Sequence, residues 1–162
     1  MPAVAVVGFS NCGKTTLICR LLTLARRRGW RWAAVKHSHK ALDPEQPGKD
    51  TWRFRQAGAA AVALACPGLI QVIEPRESDP DIAAVLAFLP PHLDLVLVEG
   101  YKHSSLPKLV FLPTAPASPS LPAAGDILAY ISDTCRMASV PSFSRDDAPA
   151  ILDFLWQWLS RR

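Results

Sequence analysis

The sequence predicts an α/β fold: a mostly parallel sheet with helices on both faces. Three observations predict it. Two short runs, Ala3–Val7 and Leu93–Val98, are continuously apolar but for Asp94 near the start of the second, the pattern of strands buried on both faces. Stretches of helical spacing alternate with further strand-like runs along the chain. The first apolar run also feeds directly into a turn bounded by Gly8 and Gly13, which opens a helical pattern.

Ala3–Val7 reads as the first strand. A helix starts near Lys14, with Leu17, Ile18, Leu21, Leu22 and Ala25 on one face and Gly29 suited to its C-terminal cap. Trp32–Lys36 is the next strand. His37–Asp50 is polar and carries two prolines and a glycine, so it reads as a loop. Thr51–Ala57 predicts a short helix stopped by Gly58. Ala60–Ala65 and Leu69–Ile73 predict strands split by Pro67-Gly68. Asp79-Pro80 supplies a cap residue and a proline at the first helical position, and Ile82, Val85, Leu86 and Leu89 form the buried stripe of the helix they open. Pro90-Pro91 ends that helix. Leu93–Val98, Lys108–Leu112 and Ile127–Ile131 are strands. Pro113–Ala124 contains four prolines and reads as a surface loop. The final helix runs over Asp147–Ser160, with Ile151, Leu155, Trp158 and Leu159 on one face. At 162 residues without an internal repeat, a single domain over residues 1–162 is expected.

Half the residues are hydrophobic (49%) and a fifth are charged, an ordinary globular balance. A net charge of +4 suits a phosphate-bearing ligand and does not call for nucleic acid. The runs Arg26-Arg27-Arg28 and Arg161-Arg162 fall at helix ends, where they complement the helix dipole. No apolar run reaches the length of a membrane span. Met1–Phe9 lacks the basic start and cleavage site of a signal peptide. Cys12, Cys19, Cys66 and Cys135 form no CxxC pair, so reduced thiols in a cytoplasmic protein are expected and structural zinc is not.

Gly8-Phe9-Ser10-Asn11-Cys12-Gly13-Lys14-Thr15 matches G-x-x-x-x-G-K-[ST] in full, the phosphate-binding P-loop. A chance match in a chain this long has odds on the order of one in a hundred or less at average composition. The strand before it and the amphipathic helix after it supply the required context. The glycines let backbone N–H groups turn inward around phosphate oxygens, and the helix N-terminus adds partial positive charge. Gly8, Ser10, Asn11, Cys12, Gly13, Lys14, Thr15 and Thr16 are the candidate nucleotide-binding residues here. Lys14 would reach the β/γ-phosphates and Thr15 would hold Mg²⁺. Cys12 reads as a passive side chain of this loop.

Leu93–Glu99 is an apolar run ending in an acid, the form of a Walker B strand. Glu99 at the carboxyl end of a parallel strand faces the crevice where open α/β sheets bind ligands. It would hold Mg²⁺ or orient a water, and with Lys14 it is the candidate catalytic pair. Asp94, at the entry end, reads as structural. Lys36-His37-Ser38-His39-Lys40 sits at the end of the second strand, with Asp43 and Gly48-Lys49-Asp50 beyond it. This is the place for a phosphate-sensing, switch-like loop, and a solvated basic loop is the plain alternative. Lys36, His37 and Asp50 are candidate nucleotide contacts, and Asp43 a third candidate metal ligand with Thr15 and Glu99.

With these motifs in hand, the chain resembles the MobB family of P-loop proteins associated with molybdopterin-guanine dinucleotide synthesis. The resemblance rests on Gly8–Thr16, Lys36-His37-x-His39, Pro47-Gly48-Lys49-Asp50-Thr51 with Arg53 and Arg55, and Ala57-Gly58-Ala59. Leu97-Val98-Glu99-Gly100-Tyr101-Lys102, Pro107-Lys108 and Ile131-Ser132-Asp133 add to it. It implies GTP and Mg²⁺ as ligands, weak hydrolysis at best, a homodimer, and an adaptor role beside the guanylyltransferase that joins GMP to molybdopterin. Two departures stand out: Lys40 where the family has a second adjacent histidine, and Cys12 where it has serine.

Two other classes compete. A P-loop fold also serves ATP-dependent small-molecule synthetases and kinases, and fold does not fix function. A metallochaperone GTPase would need a metal-binding Cys or His cluster, for which only His37 and His39 are on offer. The guanine-reading motif Asn-Lys-x-Asp is absent. Asp133, after a strand end, is the candidate to accept from guanine N1–H and N2–H₂, a surface turn being the alternative. The apolar 60–73 region is the expected seat of a homodimer.

Overall fold

The computed structural model describes residues 1–40, 43, 45–113, 126–134 and 140–162. They form two compact units, Met1–His37 with Ile82–Arg162, and Ser38–Asp81.

The first unit contains a six-stranded sheet in the order β2-β5-β1-β6-β7-β8. The strands are β1 (Ala3–Val7), β2 (Trp32–Lys36), β5 (Leu95–Glu99), β6 (Lys108–Phe111), β7 (Ile127–Ile131) and β8 (Ser142–Phe143). Every pairing among them is parallel. The continuous apolar runs are explained by position: β1 lies between β5 and β6, and Val4, Ala5, Val6 and Leu95 to Val98 are wholly excluded from solvent. One face of the sheet is covered by α1 (Lys14–Arg27) and α4 (Ala148–Ser160), whose Leu17, Leu21, Ile151 and Leu155 pack with Val4, Val6, Leu97 and Phe111. On the other face Ile82, Leu86 and Leu89, in and just after α3 (Ile82–Ala87), meet Val96 and Val98. The mostly parallel sheet with helices on both faces is as the sequence predicts.

The local chemistry accounts for the ends of the helices. Gly29, at φ +76°, closes α1, and its N–H donates to the Arg26 carbonyl. Asp147 caps α4, accepting from the Ala150 N–H at 3.2 Å. Asp94 is structural: its carboxylate accepts the Arg31 N–H at 2.7 Å while its own N–H donates to the Arg31 carbonyl.

The link from β5 to β6 contains no helix. Residues 100–107 carry the chain back along the sheet, and Lys108 anchors them from below. Its side chain is fully buried, and its Nζ donates to the carbonyls of Ser104 at 2.6 Å and Leu106 at 2.8 Å. Burial pushes this ammonium below the usual lysine range, with Asp126 acting the other way.

Several expectations need correction. Asp79-Pro80 does not open a helix: α3 begins at Ile82, and in so short a helix Ile82, Val85 and Leu86 are only half-buried. Leu93 and Asp94 precede β5, and Leu112 follows β6. β8 has two residues and too little sequence to show a period. The Pro113–Ala124 loop lies outside the described residues from 114 on.

The second unit contains α2 (Asp50–Gln56) and a hairpin of β3 (Val62–Cys66) and β4 (Leu69–Ile73). These two strands pair antiparallel with each other and form their own sheet. Gly68 supplies the positive φ (+81°) of the turn between them. Arg55 ties the segment before α2 to the helix: its Nε donates to Glu45 at 2.6 Å and its Nη2 to both Asp43 oxygens at 2.7 Å.

Candidate functional site

The site is built where β1 ends. Gly8 takes φ +151°, and a Cβ there would stand 2.6 Å from the Phe111 Cβ, so only glycine fits. Phe111 on β6 is thus the floor of the loop. Asn11 and Gly13 also take positive φ, at 59° and 99°, which turns the loop back into α1. Gly13 occupies the N-cap without a side-chain hydrogen bond, so the first N–H groups of α1 are left for an external acceptor.

Lys14 is folded over this loop. Its Nζ donates to the carbonyls of Gly8, at 3.1 Å, and Phe9, and lies 3.6 Å from the Cys12 sulfur. The ammonium is therefore held by the turn itself, not solvated at its mouth. Phosphate oxygens would offer it stronger, charged acceptors within reach of the same turn.

Thr15 opens onto β5. Its Oγ1 donates to Glu99 Oε2 at 2.7 Å, while Lys36 Nζ donates to Glu99 Oε1 at 2.9 Å. The parallel register that sets Lys36 opposite Glu99 brings these two charges together. The Glu99 side chain is only 14% exposed. Burial acts to raise its carboxyl, but the hydrogen bonds from Lys36 and Thr15 and the charges of Lys36 and Lys14 outweigh it and hold it below the usual carboxylate range. A hydroxyl and an ionised carboxylate side by side are oxygen donors of the kind Mg²⁺ takes.

His37 continues the β2–β5 ladder, its N–H donating to the Glu99 carbonyl at 2.9 Å. Its ring stacks on Tyr101 with centroids 4.1 Å apart. Two positive-φ residues make this possible, Gly100 at 107° and Tyr101 at 49°. A Cβ at Gly100 would meet the His37 Cβ at 2.9 Å.

Gly8, Lys14, Thr15, Lys36, His37 and Glu99 thus gather at the carboxyl edge of β1, β2 and β5, with Ser10, Asn11, Cys12, Gly13 and Thr16 in the loop and first helical turn. Asp133 lies on the other flank, past the end of β7, where it binds Ser144 and Arg145. Those hydrogen bonds, from Ser144 first, and the Arg145 charge hold its carboxyl below the usual range. Asp43 and Asp50 belong to the second unit. There the hydrogen bond from Arg55 does most to keep the Asp43 carboxyl low, and Asp50 begins α2. His39, in the same unit, approaches Asp79 at 3.7 Å.

Sequence reasoning named Lys36 and Glu99 without pairing them. It missed Ser144 and Arg145 because β8 carries no periodic signal. The polar run Ser144-Arg145-Asp146-Asp147 ahead of an apolar helix was the available clue.

Comparison with known proteins agrees with this geometry. The family described as Molybdopterin guanine dinucleotide synthesis protein B, MobB, matches residues 3–133. The molybdopterin-guanine dinucleotide biosynthesis adapter protein of Escherichia coli K12 is 31% identical over 100% of this chain and 95% of its own length. A probable adapter protein of the same name from Bacillus subtilis is 34% identical over 95% and 91%. Among solved structures, a MobB homolog from Bacillus stearothermophilus superposes with a TM-score of 0.76 at 32% identity, covering 100% of both chains. Bacillus subtilis MobB gives 0.77 at 31% over 97% of both. The P-loop, the acid on the neighbouring strand and the matches along the chain lead to one conclusion: this chain belongs to the MobB family.

Proposed function

We propose that this chain is a GTP-binding adaptor protein in the synthesis of molybdopterin-guanine dinucleotide, a weak GTPase acting as a single nucleotide-binding domain. The observation that carries the nucleotide role is the cluster Thr15–Glu99–Lys36 beside Lys14 in a loop that only glycine can form at Gly8. The adaptor role rests on the relatives, which bear that name over nearly their whole length.

In this function the loop amides and Lys14 hold the β- and γ-phosphates, and Thr15 with Glu99 holds Mg²⁺. Bound there, the metal would neutralise charge between the phosphates. Lys36 keeps Glu99 ionised and aimed at Thr15. His37, beside Glu99 at the end of β2, is proposed as the part that responds to the γ-phosphate. No arginine supplied in cis to the γ-phosphate is assigned, and such a residue is worth about a thousandfold or more in rate, so slow turnover accords with a protein that signals its bound state. The partner proposed is the guanylyltransferase that joins GMP to molybdopterin, in the cytoplasm. Among the described residues no helix is long and apolar enough to cross a membrane. A homodimer is proposed through the hairpin, where Leu69, Ile70 and Val72 stand half or more exposed.

Calorimetric titration with GTP and ATP, each with and without Mg²⁺, tests the proposal. GTP binding tightened by Mg²⁺ is expected. A folded protein that binds neither nucleotide would overturn it.

A further inference from the structure

The carboxyl ends of β6, β7 and β8 carry a polar network that the phosphate chemistry leaves unused. Asp133 Oδ1 accepts the Ser144 hydroxyl at 2.7 Å and the Arg145 backbone N–H at 3.0 Å. Its Oδ2 faces Arg145 Nε at 3.4 Å. Arg145 Nη2 donates to the Leu112 carbonyl at 3.0 Å, and the guanidinium carbon lies 6.0 Å from the centre of the Phe111 ring. Phe111 is the same side chain that bars a Cβ at Gly8 and lies 3.8 Å from where one would stand at Gly13. Arg145 is thus fixed against the floor of the phosphate loop.

The strand order decides which flank this is. β5 and β2 lie on one side of β1, with Glu99 and Lys36; β6, β7 and β8 lie on the other. A nucleotide whose terminal phosphates meet Thr15 and Glu99 must send its nucleoside the other way, across the ends of β6 and β7.

A carboxylate that reads guanine N1–H and N2–H₂ needs a free lone pair on each oxygen. Asp133 does not have them, since Oδ1 already takes two hydrogen bonds. Arg145 is differently placed. Its side chain is 26% exposed, and among the described residues Nη1 makes no hydrogen bond. A guanidinium is donor-only, so it matches the paired acceptors O6 and N7 of a 6-oxopurine and is mismatched to the amino group of adenine.

Resting on the GTP-binding function proposed above, we propose that Arg145 selects 6-oxopurine nucleotides as a class through O6 and N7, with Asp133 and Ser144 as positioning residues that hold its fork. The 2-position of the base is then unread. Inosine and xanthosine triphosphates bind as guanosine triphosphate does, and adenosine triphosphate is disfavoured roughly tenfold to a hundredfold, the value of one bidentate base contact.

The experiment is calorimetric titration of the full chain with GTP, ITP, XTP and ATP, repeated for Arg145→Met, Arg145→Lys and Asp133→Asn. In the parent, ITP within about threefold of GTP is expected. Arg145→Met should lower GTP and ITP to the level of ATP, and Arg145→Lys should keep only part of the preference, while ATP binding is kept in both, which shows that the fold survives. Asp133→Asn should weaken GTP and XTP alike. Strong rejection of ITP by the parent, an unchanged GTP-to-ATP ratio in both Arg145 variants, or a switch from GTP to XTP in Asp133→Asn would each overturn the inference and leave GTP binding standing. Failure of the folded parent to bind any of the four would overturn the GTP-binding function, and this inference with it.

Discussion

Replacing Glu99 by Gln tests the centre of the site without changing its shape. The carboxylate accepts from Thr15 at 2.7 Å and from Lys36 at 2.9 Å. A hydrogen bond to a charged group is worth about 1.5–3 kcal/mol when shielded from water. The Lys36 side chain is 64% exposed, so its share shrinks toward the about 0–1 kcal/mol of a surface pair. The amide keeps an acceptor for one of these partners and sets an NH₂ donor against the other. A loss of about 1–2 kcal/mol in unfolding free energy is expected at neutral pH. The sign of the pH dependence follows from the depressed carboxyl. The folded protein binds the Glu99 proton less readily than the unfolded chain does, so the stability is present above the ordinary carboxylate value and lost as pH falls through the lower, folded one. Parent and variant should therefore differ at pH 7 and converge in acid. Urea unfolding of both proteins without nucleotide, from pH 7 downward, measures this. A gap that stayed constant into strong acid would refute the claim that Glu99 is held ionised by its neighbours.

Lys14→Ala should weaken GTP binding by roughly ten- to a hundredfold, and Thr15→Ala should remove its Mg²⁺ dependence while sparing metal-free affinity; titration of both with a non-hydrolysable analogue decides. Gly8→Ala should lower the melting temperature even without ligand, because its Cβ would meet Phe111 at 2.6 Å in a backbone conformation that already disfavours a side chain; an unchanged melt would mean that the loop can shift freely. Ile70→Asp places a charge on the most exposed large hydrophobic residue of the hairpin, and light scattering should show a smaller assembly than the parent at micromolar concentration.

What could be read in the sequence was local. The P-loop is a contiguous chemical instruction, and the runs at Ala3–Val7 and Leu95–Val98 announce their burial residue by residue. Gly29 marked a real helix end. The rest depended on residues far apart in the chain. Lys36 and Glu99 are 63 positions apart and meet only because β2 lies beside β5. The apolar runs around Pro67-Gly68 read as strands, but hydrophobicity alone does not say which partner a strand takes; here they pair with each other. Asp133 looked free to accept hydrogen bonds until the two-residue β8 brought Ser144 and Arg145 to it.

The helix-free return from β5 to β6 has a mechanical consequence. A parallel crossover usually spends a dozen residues or more and carries a helix. Here residues 100–107 suffice, clamped at the far end by an ammonium that grips two carbonyls inside the protein. The segment is a short strap, folded at its start where the Ser104 N–H and hydroxyl both donate to the Tyr101 carbonyl. If Glu99 shifts as a metal binds, the pull reaches Tyr101 at once, and with it the stacked His37. Lengthening the strap by a residue or two of glycine should loosen the link between Glu99 and the Tyr101–His37 stack while leaving the phosphate loop whole.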